Sequence, residues 1–437
     1  MNIKWVVLDD DPTGVQTVHD IAVYTDWTKE TFLTALQAEE DLFYVLTNSR
    51  GLTAAESAAL HTELMENLAA ACHETGARIQ VISRRVSTLR GHFPLETDLL
   101  RNALAKHLGL ATDGIIMAPF FEAGGRLTMG DVHYVKQGGT LVPAAETEFA
   151  KDATFGYTHS NLKEYIAEKT GQPQDVLSVT LEMLKNKDTE AVRKILEEAQ
   201  GRYIIVNATE PSDLETFAKV LHEVIDKGYS FVYRTAADFV KAVGGISTRP
   251  LLTRAEMTTT AGAGIVIVGS HTKKTTAQLE QLKDLPGLHL IPFDSDRVLD
   301  DALDEETDRV RELAEADMRQ GITPVVYTGR SVLVLPDDTK EAALERSVKI
   351  SNAVTRIVAD LEETPAFIVA KGGITSSDVG VKALHVRRAW VLGQIRPGVP
   401  VWQCGQESRF PGVPYVIFPG NVGEEGTLRS IMEEFLG

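Results

Sequence analysis

The sequence predicts an α/β protein of two domains, an amino-terminal parallel sheet wound with helices and a second α/β domain after it. Three observations predict it. Through the first half, short apolar runs of strand length alternate with amphipathic stretches of helical period, the pattern of a parallel sheet crossed by helices. That alternation breaks over 244–264, where Gly244-Gly245, Pro250, a threonine run and Ala261-Gly262-Ala263-Gly264 gather, and then resumes. A chain of 437 residues is also long for one hydrophobic core. The expected domains are residues 1–250 and 251–437.

In the first domain the predicted strands are Trp5–Leu8, Leu42–Leu46, Arg78–Ile82, Gly114–Met117, Tyr203–Val206 and Phe231–Tyr233. Helical patterns at Ala54–Thr75, Leu95–Leu108 and Asp213–Lys227 lie between them. The stretch Glu122–Phe155 carries Gly124, Gly125, Gly130, Gly138, Gly139 and Pro143, and reads as an excursion from the wound sheet, a lid or a β-ribbon. In the second domain the strands are Ile265–Val268, Thr323–Tyr327, Ala366–Val369 and Tyr415–Phe418, with helices at Thr275–Lys283, Glu305–Gln320 and Lys340–Leu361. No internal repeat and no low-complexity segment is evident.

Composition narrows the function classes. Hydrophobic residues make up 43% and charged residues 24%, which suits a globular protein and excludes a largely disordered one. Asp and Glu number 62 against 44 Lys and Arg, so a formal charge of −18 opposes nucleic acid and anionic membrane surfaces as partners. An anionic substrate must then be met by a local basic pocket. Cys72 and Cys404 are the only cysteines, which rules out a disulfide framework or a cysteine zinc site and fits a reducing compartment. Met1–Leu8 has no basic start or long apolar core, and no later apolar run is long enough to span a bilayer, so a cytoplasmic protein is expected.

The polar residues that could carry chemistry gather just after the strands. Trp5–Leu8 stops at Asp9, Asp10 and Asp11, followed by Pro12-Thr13-Gly14. Open α/β sheets place ligands at the carboxyl ends of their strands, so this tip is a candidate for a metal ion, a general base or a hydroxylated substrate. A helix cap plus solvated charge would explain it as well. After Leu46 comes Thr47-Asn48-Ser49-Arg50-Gly51, and after Ile82 comes Ser83-Arg84-Arg85-Val86-Ser87-Thr88. If these strands are parallel neighbours, carboxylates and guanidinium groups share one cleft, suited to a small hydroxy acid. The competing reading pairs these arginines with surface acids.

The second domain repeats glycine-rich turns instead. Gly269-Ser270-His271 follows Ile265–Val268, Lys371-Gly372-Gly373-Ile374-Thr375 follows the run Ala366–Ala370, and Pro419-Gly420-Asn421-Val422-Gly423 follows Phe418. Glycines let backbone amides approach an anion, and lysine adds charge. Each turn alone is a common strand-to-helix connection. Three in one domain favour a nucleotide phosphate site, although none is a Walker A motif. His92 and His271 are possible proton carriers, and the sequence leaves any metal ligand unknown.

The ordered set Asp10-Asp11-Pro12-Thr13-Gly14, Ser87-Thr88-Leu89-Arg90-Gly91-His92-Phe93-Pro94, Lys371-Gly372-Gly373-Ile374-Thr375-Ser376 and Pro419-Gly420-Asn421 resembles the four-carbon acid sugar kinase family, formerly a domain of unknown function. The resemblance spans essentially the whole chain. It implies an acid-sugar-binding domain at 1–250, a nucleotide-binding domain at 251–437, and ATP with Mg²⁺ used to phosphorylate a threonate, erythronate or 3-oxo-tetronate type of acid. By position it implies catalytic roles for Asp10 and Asp11, with Asp9 outside the motif. Arg50, Ser87 and Thr88 match positions that contact the acid in the family, and with Arg84, Arg85 and Val86 of the same loop they are expected to grip it. Ser270, Lys371, Gly372, Gly373, Ile374, Thr375, Gly420, Asn421 and Gly423 would line ATP. The implied partners are the small acid and ATP, without nucleic acid or membrane, and a homodimer is permitted. One departure stands out: relatives usually carry aspartate where this chain has Val86, with a small residue in place of Arg85. That raises a second reading, a catalytically weakened protein that binds nucleotide or sugar acid. A dehydrogenase is disfavoured because Gly-x-Gly-x-x-Gly is absent after the first strand.

Overall fold

The apolar run that opens the chain becomes strand β1, Ile3–Asp9, buried at every position after Ile3. In the computed structural model, which describes residues 3–437 other than 258, 259, 261, 332, 334, 336, 337 and 421, the chain divides into two units, 1–248 and 249–437. The division falls inside the glycine-rich interruption of the sequence.

In the first unit β1 is followed by β2 (Ile21–Tyr24), β3 (Leu42–Leu46), β4 (Arg78–Arg84), β5 (Gly114–Ala118), β6 (Arg126–Met129), β7 (Val132–Gln137), β8 (Thr140–Pro143), β9 (Val176–Val179), β10 (Tyr203–Val206) and β11 (Phe231–Thr235). The main sheet runs β2-β3-β1-β4-β11-β5-β10-β9, and every pairing in it is parallel. Parallel strands are covered on both faces, which is why their sequences read as continuous apolar runs. The excursion supplies a separate antiparallel ribbon, β6-β7-β8. It is thus the β-ribbon of the two expected forms.

Local chemistry fixes the helix ends. Helix Ala54–Thr75 starts at a capping box, Thr53 with Glu56, and stops at Gly76, whose φ of 69° suits a residue without a β-carbon. Helix Leu95–Leu108 ends likewise at Gly109, φ 66°. Helix Pro211–Asp226 opens with proline, whose missing N–H costs nothing there.

The second unit contains β12 (Ile265–Val268), β13 (Leu288–Pro292), β14 (Thr323–Tyr327), β15 (Ile368–Lys371), β16 (Arg388–Arg396), β17 (Val399–Cys404) and β18 (Pro414–Phe418). Their order is β13-β14-β12-β15-β18-β17-β16. The pairings from β13 to β18 are parallel, and β17 returns antiparallel to both β18 and β16. Both units share one winding. From the central strand, β1 or β12, the chain moves two places out, comes back one, then crosses to the other side. No repeat in the sequence announces this recurrence. Each central strand therefore sits at a topological switch point, where crevices open at the carboxyl ends.

Candidate functional site

In the first unit the switch point lies at the tip of β1. Asp9 is in register with Leu46 of β3 on one side and Arg84 of β4 on the other. The acidic turn thus stands between the Thr47–Gly51 and Arg84–Thr88 segments. Asn48, with φ 51°, turns the chain so that Ser49–Gly51 forms a short 3₁₀ turn carrying Arg50. Thr47 donates from its N–H and its hydroxyl to the Asp9 carbonyl, each at 2.8 Å, which ties the two turns together.

Arg50 grips Asp10 with two donors, Nη2 to Oδ1 at 2.7 Å and Nε to Oδ2 at 3.2 Å, and reaches Asp11 Oδ2 with Nη1 at 2.8 Å. Asp11 also caps the turn Pro12–Val15, accepting the Thr13 N–H at 2.8 Å. Arg84 donates from Nη1 to Asp9 Oδ1 at 3.2 Å. Burial pushes the Asp10 carboxyl up, but Arg50, Arg85 and Arg84 outweigh it and hold it at about 2. For Asp9 burial wins over Arg84, and its carboxyl is pushed up to about 7. Two adjacent carboxylates thereby differ in proton affinity, the arrangement that separates acid and base roles.

Arg85 was expected against the substrate, yet its guanidinium turns into the core. Successive strand residues face opposite sides of a sheet, so Arg84 and Arg85 diverge. Arg85 Nε lies 2.9 Å from Glu96 Oε2 and 2.8 Å from Ser83 Oγ, Nη1 donates to Ser49 Oγ at 2.7 Å, and Nη2 lies 3.1 Å from His61 Nε2. The side chain is 1% exposed. His61 Nδ1 lies 2.7 Å from the Ser57 carbonyl, so that nitrogen carries the proton and Nε2 receives Arg85. Burial and then Arg85 hold the His61 pKa below its ordinary value. Through Ser49 this network braces the turn that carries Arg50. Ser87 and Thr88 are buried. Ser87's carbonyl accepts His133 Nε2 of β7 at 2.7 Å, and Thr88 Oγ1 accepts Arg90 Nε at 3.2 Å. Val86 between them is half-buried.

In the second unit four strand ends bring their turns together. Gly269 after β12 packs on Thr375, whose hydroxyl any β-carbon at Gly269 would strike. Gly372, φ 130°, adopts a backbone that side chains rarely allow, and a β-carbon at Gly420 would stand 2.9 Å from Ser270 Oγ. Thr272 and Thr275 both donate to the Gly420 carbonyl, at 3.0 and 3.1 Å, and Thr275 Oγ1 lies 2.9 Å from Ser270 Oγ, whose own hydroxyl supplies the proton of that contact. Lys371 at the end of β15 is fully buried. Its Nζ donates to the Pro419 carbonyl at 2.6 Å and lies 3.6 Å from the Phe418 ring centroid. Burial, with Lys274 adding to it, pulls its pKa down to about 7.

Of the expected nucleotide residues, Ser270, Lys371, Gly372, Gly373, Thr375 and Gly420 share this edge. Ile374 projects outward, 74% exposed. Gly423 sits farther on, φ 81°, packed on Thr427. Asn421 lies outside the described residues. Sequence reading passed over Glu96, His61, Tyr44, Thr235 and Arg330, the last of which joins the second unit's turns by donating to the Ser270 and Thr328 carbonyls. Arg330's own turn, Gly329-Arg330 after Tyr327-Thr328, carries the same end-of-strand glycine signal as the others.

A cleft of about 1060 Å³ opens at the other edge of the first sheet, beside Trp5, Asp41, Lys219 and His222. It contains none of the expected site residues. The carboxyl edge is the better candidate, because the switch point, the charges and the perturbed carboxyls coincide there. Among the described residues no three His, Cys, Asp or Glu side chains converge as a metal site would need, and no helix is long and apolar enough to cross a membrane.

Comparison with known proteins agrees with this division. The model of a sugar-binding N-terminal domain matches residues 5–243, and that of a nucleotide-binding C-terminal domain matches residues 265–428. A Haemophilus influenzae protein of the DUF1537 family superposes with a TM-score of 0.69 at 20% identity, over 98% of this chain and 100% of that one. A Salmonella typhimurium LT2 protein, provisionally named a tRNA synthase, superposes with a TM-score of 0.74 at 18% identity, over 99% of each chain. At such identities the likeness shows the fold alone. Among curated proteins none matches significantly.

Proposed function

Because the chain belongs to the family that joins a sugar-binding amino-terminal domain to a nucleotide-binding carboxy-terminal domain, we propose that it is an ATP-dependent kinase acting on a hydroxyl of a four-carbon sugar acid. The observation that carries this reading is the contrast between the two switch points. The first presents carboxylates and guanidinium groups, which suit a molecule bearing both hydroxyls and a carboxylate. The second presents serine and threonine hydroxyls, close-packed glycines and one buried lysine that has no carboxylate partner among the described residues. Such a site suits phosphate oxygens.

In this reading Asp10 and Asp11 fix Arg50 and orient the acid, Arg84 supplies positive charge beside it, and Ser87 and Thr88 complete the wall. Lys371, Ser270 and the Gly372–Thr375 and Gly420 turns hold the nucleotide. Phosphoryl transfer depends chiefly on positioning and on neutralising charge, which these groups supply. Magnesium enters as part of Mg-ATP, where it offsets the phosphate charge. A weakened binding protein is the rival reading, motivated by Val86. The test mixes the protein with Mg-ATP and a panel of tetronates, including 3-oxo acids, and follows ADP. Release with at least one acid is expected, and release with none of them sinks the reading.

A further inference from the structure

Resting on the kinase reading, we infer that Asp9 is the residue that takes the proton from the acceptor hydroxyl, while Asp10 and Asp11 hold Arg50. A carboxylate oxygen has two lone pairs, and the best proton acceptor is the oxygen that no donor already holds, because each bound donor stabilises the unprotonated form. Both oxygens of Asp10 receive Arg50, and Asp11 divides its two between Arg50 and Thr13. Asp9 differs. Its Oδ1 takes Arg84 Nη1 and, at 3.4 Å, the Asp11 N–H, whereas Oδ2 receives no donor among the described residues. Oδ2 instead lies against the α-carbon of Gly14, at a point where any β-carbon would overlap it. Glycine in the turn is therefore what leaves that oxygen its room.

A second observation points to a ligand on the same side of the sheet. Asp9, Arg84 and Thr235 are in register across β1, β4 and β11, and Tyr44 lies two residues before Leu46, the register partner of Asp9. Side chains so related share one face. On it, Tyr44 Oη, Arg84 Nε and Thr235 Oγ1 are buried without a hydrogen-bond partner, in residues only 0%, 5% and 2% exposed. Native proteins leave only a few such atoms per hundred residues, so three gathered on one face call for a partner. A polyhydroxy acid carries both the donors and the acceptors that would satisfy them.

The groups facing Asp9 are Arg84 on β4, Asp10, Asp11 and Arg50 in the turns, and Tyr44 on β3; Asp238, on the helix Ala237–Val243, acts on Tyr44 and Arg84 in turn. Arg84 opposes protonation, the other carboxylates favour it, and burial decides the balance toward a tightly held proton. In the step itself the hydroxyl proton passes to Asp9 Oδ2 as the hydroxyl oxygen bonds to the γ-phosphorus. The bond from that phosphorus to the β,γ-bridging oxygen breaks, ADP leaves with the electron pair, and Asp9 later returns the proton to solvent.

The experiment uses the full chain, Mg-ATP and an acid that the natural protein turns over. D9N is expected to lower kcat by about 100-fold, within the usual range for a general base, with KM for Mg-ATP little changed. The natural protein should lose kcat below a midpoint near pH 7, since the base must be unprotonated, and D9N should lack that limb. D10N and D11N should keep the limb and raise KM for the acid. D9N should also melt no lower than the natural protein at pH 8, because a buried carboxylate that resists ionisation is replaced by a neutral isostere. If D9N fails to fold, G14A, which displaces the carboxylate without removing it, should lower kcat and move the limb. A fall of less than tenfold in D9N, or a limb that disappears in D10N or D11N instead, overturns the assignment alone. A natural protein that releases ADP with no acid overturns the kinase reading and this assignment with it.

Discussion

Replacing Glu96 by alanine should cost the amino-terminal unit more stability than an ordinary buried substitution. The change strips the counter-charge from Arg85, whose side chain is 1% exposed, where Glu96 itself is 4% exposed and its Oε2 lies 2.9 Å from Arg85 Nε. It also removes the acceptor for Ser49 Oγ at 3.1 Å and for Ser57 Oγ at 3.3 Å. Breaking a buried pair by deleting one partner costs about 3–5 kcal/mol, because the remaining charge has no water to return to. For a unit of this size each kcal/mol moves the melting temperature by roughly 2–4 °C, so a fall of roughly 6–20 °C in the transition of that unit is expected by calorimetry. The double variant Arg85→Met with Glu96→Leu removes both charges and should recover most of the loss, since an apolar pair of similar volume is often neutral. A single variant costing less than about 1 kcal/mol, or a double variant no better than the single one, would refute the view that Arg85 is held by Glu96. The remaining Ser83, Ser49 and His61 contacts would then suffice.

Two further outcomes follow from the site. Lys371→Met should weaken ADP binding by roughly 10- to 150-fold, the loss of a charge-assisted hydrogen bond of about 1.5–3 kcal/mol. Burial brings Lys371 down to about 7 and a bound phosphate favours its charged form, so ADP affinity should fall as pH rises through 7. Titration calorimetry should find that slope in the natural protein and none in the variant. On the kinase reading Val86→Asp should lower turnover of the acid, because a new carboxylate two residues from Arg84 competes with the acid for its guanidinium. A tenfold gain in steady-state kcat would instead mark the present chain as impaired.

The sequence disclosed the fold where local and global preferences agree. Leu42–Leu46 and Tyr203–Val206 are apolar throughout and form strands with those bounds, and Ala54–Thr75 and Leu95–Leu108 form helices bounded by their caps. Elements without a clear period were missed. Strand β2 follows β1 with only a 3₁₀ turn and a loop between them, whereas the crossover between successive parallel strands of one sheet is normally announced by a helix. In β16 buried and half-buried residues alternate, so its apolar content is diluted. At the site, the charged strand ends could be read directly. The inward turn of Arg85 could have been read too, since it follows from alternation along β4. Its partners could not, because Glu96 and His61 meet it only when their two helices pack together.

The recurrence of one winding in both units explains why chemistry collects where it does. With β1 between β3 and β4, and β12 between β14 and β15, successive crossovers diverge from the central strand and leave its tip uncovered. What fills the gap differs in charge. At β1 the tip is three carboxylates balanced by Arg50 and Arg84, a mixed field that a trianionic phosphate chain would find repellent. At β12 the tip is Gly269-Ser270, Lys371 stands on the neighbour, and among the described residues neither the hydrogen bonds nor the ion pairs of these residues include a carboxylate. A polyphosphate placed at the first switch point would have to displace Arg50 from Asp10 and Asp11. A hydroxy acid placed at the second would find hydroxyls and amides but no carboxylate to accept its own hydroxyl protons. On the kinase reading each substrate is therefore directed to its own unit by what the central strand ends in, and exchanging the Asp9–Asp11 and Gly269–His271 turns should abolish both affinities rather than swap them, because the neighbouring arginines and lysine stay where they are.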